Sequence, residues 1–429
     1  MNYIEQTKQS IREQYEADER PWVVAYSGGK DSTLVLQLVM ELLLELGPHA
    51  KKPVYVLSSD TRVEAPNVSE YVIDSMTRIE NAARSRKLNL HTQLVFPDID
   101  EGFWAKLIGK GYPPPSRWFR WCTSNMKIKP SRRAIDTIVA KEGSVILLLG
   151  SRLDESSQRS KSIQSFENNE RRLNPHHEIP DAMVFKPIVE WGTDDVWEYL
   201  SLNPPAWGGS HEKIIKLYRQ ANGGECPIVL DLETPSCGGS RFGCWTCTVV
   251  KQDKSMEGFI STGEEWMRPL NEFRAQLITY RDKPGMRSSV KRDGTQGNGP
   301  FTPEARKQIL RELLSTEKKV GWPLIQDDEL ANIQKIWASE FDYTKTSAVA
   351  IANEFQREIQ MRAVNEQTID DRHLETAAIQ ADVPPELLLA IISLAKNASL
   401  EVHGAKIGLE RDIERALLLA SKQAELAAP

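Results

Sequence analysis

Residues 22–32, WVVAYSGGKDS, decide how the chain is read. Trp22 to Tyr26 is a short run of β-branched and aromatic residues, the mark of a buried strand. Ser27, Gly28, Gly29, Lys30, Asp31 and Ser32 then make a glycine-rich turn with one lysine. Residues 33–46 are apolar nearly all round, which suits a helix buried inside a layered α/β domain. Strand, turn and helix together aim backbone N–H groups and a positive helix end at one spot, where an anion can sit. The two glycines allow close backbone approach, Lys30 adds charge, and the Ser27 and Ser32 hydroxyls add donors. The spacing from glycine to lysine is too short for GxxxxGK(S/T). An ordinary glycine turn between strand and helix is the plain alternative.

Outward from this stretch, residues 53–59 (PVYVLSS), 90–96 and 144–149 (SVILLL) read as further strands, and 185–188 as a short fifth. Helical periodicity fills 65–87 and 131–141. The alternation predicts an α/β fold: a mainly parallel sheet with helices on both faces. Ligands bind beyond the carboxyl ends of such strands. Ser58 to Thr61, Ser59 and Asp60 among them, should therefore line one crevice with Ser27 to Ser32, and Gly150, Ser151 and Arg152 form another glycine turn at a strand end. Residues 1–20 read as a polar surface helix, 21–255 as the sheet domain with a cysteine-rich loop at 226–247, and 256–300 as a helix and basic linker. A helical C-terminal region, 301–429, carries no chemical motif. Residues 154–180 read as a long loop that could act as a lid, and Thr193 as the cap of a short helix.

The chain has 429 residues, 27% of them charged, and a net charge of −6, a globular composition. Its longest apolar run, interrupted by Gln37, Glu41 and Glu45, is too short and polar to span a membrane, and the polar N-terminus does not read as a signal peptide. The expected compartment is the cytoplasm, where five cysteines stay reduced. No acidic residue falls between Gly102 and Ile135, a stretch with eight lysines and arginines and with Trp118, Phe119 and Trp121 among them. Such a stretch points to a polyanion that also offers rings to stack on. Solvated cations over buried aromatics are the alternative.

Four of the five cysteines, Cys226, Cys237, Cys244 and Cys247, cluster in a glycine-rich loop. The CxxC at 244–247 suits zinc, an iron–sulfur cluster or a redox dithiol. With only one tight pair, an iron–sulfur cluster is favoured over zinc. A cysteine left free beside a nucleotide could carry a persulfide.

SGGKDS resembles the PP-loop of ATP pyrophosphatases, which have an adenine nucleotide α-hydrolase-like fold. LGSR at 149–152 and PIVEWGTDDVWEYL at 187–200 resemble the sulfonucleotide (PAPS/APS) reductase branch of that superfamily. RFGCWTCT and RWCTSNMKIKP resemble the cysteine segments of its cluster-containing members, with Trp121 in place of one cysteine. Over residues 22–280, KPVYVLSSDTRVEAP, GYPPPSRWFRWCTSNMKIKP and PAWGGS are most similar to the DndC family of DNA sulfur modification (phosphorothioation) proteins. That resemblance implies a 4Fe-4S cluster, ATP with Mg²⁺, and DNA as substrate. It also implies partners: a cysteine desulfurase as sulfur donor, the SMC-like ATPase DndD and the DNA-binding DndE. It places nucleotide phosphates on Ser27 to Ser32, the rest of the nucleotide along Ser58 to Asp60 and Gly150 to Arg152, and the cluster on Cys122, Cys237, Cys244 and Cys247. Lys30, Asp31 and Cys226 are then the expected catalytic groups. Sulfonucleotide reduction, tRNA thiolation and non-catalytic ATP sensing are the rivals; the first is disfavoured because no cysteine follows Cys247.

Overall fold

The computed structural model describes residues 3–155, 173–176, 179–222, 242–342 and 344–359, with Pro384, Leu387, Leu388 and Ile391 beyond them. They form two units, one of residues 1–98 and 115–276, the other of residues 99–114 and 277–429.

The first unit is built on helix α1 (Tyr3–Glu16), strand β1 (Trp22–Ala25), helix α2 (Lys30–Leu46), β2 (Val54–Ser59), α3 (Pro66–Ser85) and β3 (Leu90–Val95). A helical stretch from Trp121 continues as α4 (Lys129–Glu142), then β4 (Val145–Leu148), β5 (Leu173–Pro175), β6 (Ala182–Phe185), α5 (Thr193–Leu202) and α6 (Glu212–Ala221). The strands form one six-stranded sheet in the order β3-β2-β1-β4-β6-β5. All neighbours are parallel except β5, which pairs antiparallel with β6 at the edge.

Both faces of the sheet are covered, which is why its strands are apolar without alternation. Val23, Leu57 and Leu147 face Ile135 and Ile138 of α4. On the neighbouring positions Trp22, Val24, Val56 and Ile146 are fully buried, and the Tyr15 ring of α1 meets Trp22 edge-on at 5.1 Å. The fifth parallel strand ends at Phe185 instead of starting there. Its register runs Val145 to Ala182 through Leu148 to Phe185. Pro187, which lacks an N–H, follows shortly. β5 lies within the stretch expected to be loop; residues 156–172 of that stretch are outside the described residues.

The helix before α4 contains a widened turn. Residues Trp121–Thr123 are α-helical, Ser124–Ile128 form a π turn, and the Lys129 N–H donates to the Ser124 carbonyl five residues back.

In the second unit, residues 99–114 are packed with helices α9 (Pro303–Val320), α10 (Asp327–Glu340) and α11 (Ser347–Glu354), after α7 (Lys254–Ser261) and α8 (Arg268–Asp282) in the chain. Trp104 and Trp337 are fully buried there, donating their indole N–H groups to Leu324 O at 2.8 Å and Ile108 O at 2.9 Å. The basic stretch is therefore divided. Lys106 is buried on Glu101 at 2.7 Å in the second unit, while Arg117, Arg120, Lys127, Lys129, Arg132 and Arg133 belong to the first. Of the C-terminal region expected to be helical, nearly all beyond residue 359 lies outside the described residues. No helix among the described residues is long and apolar enough to cross a membrane.

His211, just before α6, is 6% exposed, and its Nε2 has no hydrogen-bond partner among the described residues. Burial pushes its imidazole down from 6.5 to about 4. The unfolded chain takes up this proton near pH 6.5 while the folded chain refuses it, so stability is complete above that pH. It should fall between about pH 6.5 and 4, by at most about 3 kcal/mol. Denaturant melts across this range should show the loss, and His211→Asn should flatten it.

Candidate active site

A cavity of about 530 Å³, in the size range of small-molecule sites, opens at the carboxyl ends of β1, β2 and β4. β1 is flanked by β2 on one side and β4 on the other, so this is the point where the connections change direction. Its wall includes Ser27, Gly29, Asp31 and Ser32 of the turn, Ser59 and Asp60 after β2, and Gly150 after β4.

The turn is held by its own hydroxyls. Ser32 Oγ lies 3.1 Å from Ser27 Oγ, accepts the Ser27 N–H at 3.2 Å and donates to Gly29 O at 3.0 Å. Gly28 has φ +71°, in the region that favours glycine, and a Cβ there would stand 2.6 Å from Val72. α2 begins with Gly29 as a cap that offers no side chain. Its N-terminus thus keeps donors turned toward the cavity. At Gly150 an added Cβ would lie 2.8 Å from the Asp31 carbonyl carbon and 2.9 Å from the Ser32 nitrogen. The end of β4 therefore rests directly on the start of α2, and only glycine lets the two backbones approach this closely.

Lys30 and Arg152 are placed differently from the other expected nucleotide ligands. Lys30 is buried, and its ammonium lies 2.8 Å from Asp31 Oδ2. Arg152, 1% exposed, donates Nε to Asp31 Oδ1 at 2.7 Å, Nη1 to Trp191 O at 3.0 Å and Nη2 to Thr193 Oγ1 at 3.1 Å. Asp31 is gripped by a cation on each oxygen, and Arg152 acts as a brace behind the turn. Thr193 is occupied by that brace. The cap of α5 is instead Gly192, whose N–H donates to Asp195 Oδ2 at 2.7 Å.

The described thiols are gathered beside the same cavity. The Trp245 N–H donates to Val63 O at 3.0 Å, pinning the CxxC turn to the loop after β2, and Trp245 itself is 2% exposed. Cys244 Sγ lies 3.3 Å from Thr61 Oγ1 and 3.9 Å from Glu64 Oε1, and Glu64 lines the cavity. Arg274 is buried behind the turn and donates to the carbonyls of Cys247 at 2.6 Å, Lys251 at 3.3 Å and Val250. Burial pushes the Cys244 and Cys122 thiols above their usual range, with Glu64 adding at Cys244 and Cys247 at Cys122. The carboxylate of Glu64, 3.7 Å away, holds Lys127 protonated, and the Cys244 and Cys122 sulfurs act in the same direction. Lys127 and Ser131 also line the cavity, and Ser131 Oγ is 2.9 Å from Ser59 Oγ. Cys226 and Cys237 lie outside the described residues. Among the described residues no three His, Cys, Asp or Glu side chains are close enough together to hold a metal ion.

Sequence reasoning missed Tyr218, whose hydroxyl accepts the Lys30 N–H at 3.3 Å and whose ring, 4.5 Å from Phe242, closes one wall. Nothing in its local pattern marks it: on α6 it reads as an ordinary apolar-face residue. Glu64 was legible only as a residue near a strand end.

The phosphoadenosine phosphosulfate reductase domain model matches residues 21–250. A Methanocaldococcus jannaschii protein described as uncharacterized protein MJ0066 is 25% identical over 275 residues, covering 63% of this chain and 46% of its own length. The chain thus spans about half of that relative. Among solved structures, phosphoadenylyl-sulfate reductase from Candida auris in a phosphate complex is 15% identical with a TM-score of 0.32, over 47% of this chain and 82% of that one. The U34-tRNA thiolase NcsA from Methanococcus maripaludis, with its 4Fe-4S cluster, is 11% identical with a TM-score of 0.32, over 68% and 84%.

Proposed function

The chain belongs to the phosphoadenosine phosphosulfate reductase domain family, and from that premise we propose that it is an AMP-forming sulfurtransferase acting on the DNA backbone. One observation carries this reading: Glu64 and Lys127 line the nucleotide cavity and also touch or face the thiols of Cys244 and Cys122. Activation and sulfur delivery then share one chamber. A sensor of ATP has no use for thiols at that wall.

A non-bridging phosphate oxygen leaves only after it has been made into a leaving group. Its attack on the α-phosphorus of ATP forms an adenylated phosphodiester and breaks the α–β bond, releasing pyrophosphate. Ser27, Ser32 and the N-terminus of α2 receive that pyrophosphate, and Lys30 leaves Asp31 to neutralise it. Sulfide entering from the thiol side forms the phosphorus–sulfur bond, breaks the bond from that phosphorus to the bridging oxygen, and expels AMP, which keeps the former phosphate oxygen. ATP arrives with Mg²⁺, for which Asp60 at the cavity wall offers a carboxylate.

The family resemblance assigns a 4Fe-4S cluster to Cys122, Cys237, Cys244 and Cys247; the Cys122 and Cys244 thiols each lie within electrostatic reach of Cys247, although no three donors among the described residues stand close enough together to hold a metal ion. Bound there, the cluster would supply a site that takes up and releases sulfide. This leaves Cys226 to carry sulfur from a cysteine desulfurase as a persulfide, released as sulfide by two electrons from an external dithiol reductant, with DndD- and DndE-like proteins as partners on DNA. Anaerobically prepared protein given labelled ATP should release pyrophosphate with duplex DNA and, with a sulfur donor, put sulfur into the DNA. Sulfite from adenylyl sulfate, or pyrophosphate release driven by tRNA alone, would overturn the assignment.

A further inference from the structure

Trp118 is 97% exposed, whereas Trp22, Trp104, Trp191, Trp197, Trp245 and Trp337 are fully buried. A bare indole is a large apolar surface left in water, and such surfaces mark binding sites when they are held rigid. This one is held. Ser116 and Phe119 exchange backbone hydrogen bonds at 3.2 Å each, and Ser116 Oγ accepts the Phe119 N–H as well, closing a tight turn with Trp118 near its tip. The base of the turn is tied to the cysteine loop, because the buried Thr248 Oγ1 donates to Pro115 O at 2.6 Å. The turn then runs straight into the helix that presents Cys122, Lys127 and Ser131.

Charge decides what the ring is for. Arg117 and Arg120 on either side of it are exposed, and neither makes an ion pair among the described residues. Farther along, Arg133 pairs with Asp98, and Arg132 lies 3.8 Å from Asp136. Phe119 adds a second ring that is 43% exposed. An aromatic between two uncompensated guanidinium groups matches a polynucleotide strand, with a base on the ring and phosphates on the arginines. An apolar protein partner would leave both arginines unpaired in its interface.

The geometry points to Trp118 as a clamp for one unstacked base of the DNA strand being modified, with Arg117 and Arg120 on its phosphates. This rests on the DNA reading above and extends it. Stacking on the ring fixes which phosphate reaches the thiol side of the cavity. Because Trp118 is exposed, Trp118→Ala leaves the core untouched.

Binding of labelled single-stranded DNA, duplex DNA and RNA to the full chain tests it, with a fluorescent ATP analogue as control. Trp118→Ala should weaken DNA binding ~5- to 100-fold, Trp118→Phe should restore most of it, and ATP-analogue binding should not change. DNA should quench tryptophan fluorescence in the wild type and much less in Trp118→Ala. Arg117→Gln with Arg120→Gln should flatten the salt dependence. DNA binding by Trp118→Ala equal to wild type would overturn the clamp while leaving the DNA reading intact. Absence of DNA binding by the wild type, or Trp118-dependent binding of RNA alone, would overturn both.

Discussion

Lys30→Ala should lower pyrophosphate release ~100- to 1,000-fold while leaving the fold in place. The ammonium is the single side-chain cation on the glycine-rich turn, and loss of one group stabilising a developing anion costs about this much. The folded state tolerates the change for a visible reason. Asp31, which Lys30 holds at 2.8 Å, keeps its second oxygen on Arg152 at 2.7 Å, so no buried carboxylate is left bare. Single-turnover pyrophosphate release alongside a thermal melt separates the two effects. Lys30→Arg should recover part of the rate if charge is what matters. A Lys30→Ala rate within a few-fold of wild type would remove this lysine from the chemistry.

Arg152→Met should do the opposite, striking the fold first. It strips three acceptors, Asp31 Oδ1, Trp191 O and Thr193 Oγ1, of a guanidinium that is 1% exposed. Breaking a buried pair from one side costs about 3–5 kcal/mol. For a unit of this size that means a melting temperature lower by on the order of 10 °C. Asp31 keeps Lys30 at 2.8 Å in this variant, so Asp31→Asn added to Arg152→Met should lower the melting temperature by less than Asp31→Asn does in the wild type. Additive losses in calorimetry would show that Arg152 and Asp31 are not coupled.

These two residues also show what the sequence could and could not disclose. The strand, turn and helix at Trp22 to Leu46 were legible because apolar runs and glycines have local causes. The same holds for the parallel sheet. Arg152, by contrast, follows a strand end in a motif-like LGSR and so looks like a nucleotide ligand. Its commitment to Asp31, Trp191 and Thr193 depends on contacts between distant segments that no local pattern encodes. Tyr218 was invisible for the same reason. The basic stretch looked continuous because charge was counted along the chain. Burial of Phe103, Trp104 and Leu107 takes its first part into the helical unit, and Lys106 goes with them onto Glu101.

The π turn at Ser124–Ile128 gives the chain length of this segment a meaning of its own. The Lys129 N–H reaches back five residues to Ser124, one more than in a regular helix, and Lys127, inside this turn, feels the Cys122 sulfur. Met126, which is 1% exposed, stays in the core. One extra residue thus sets how the segment bearing Cys122 is turned relative to α4. Deleting a residue here would rotate everything before it by about 100° relative to α4. A relative one residue shorter at this point would keep every cysteine in its sequence and still face Cys122 away from Lys127.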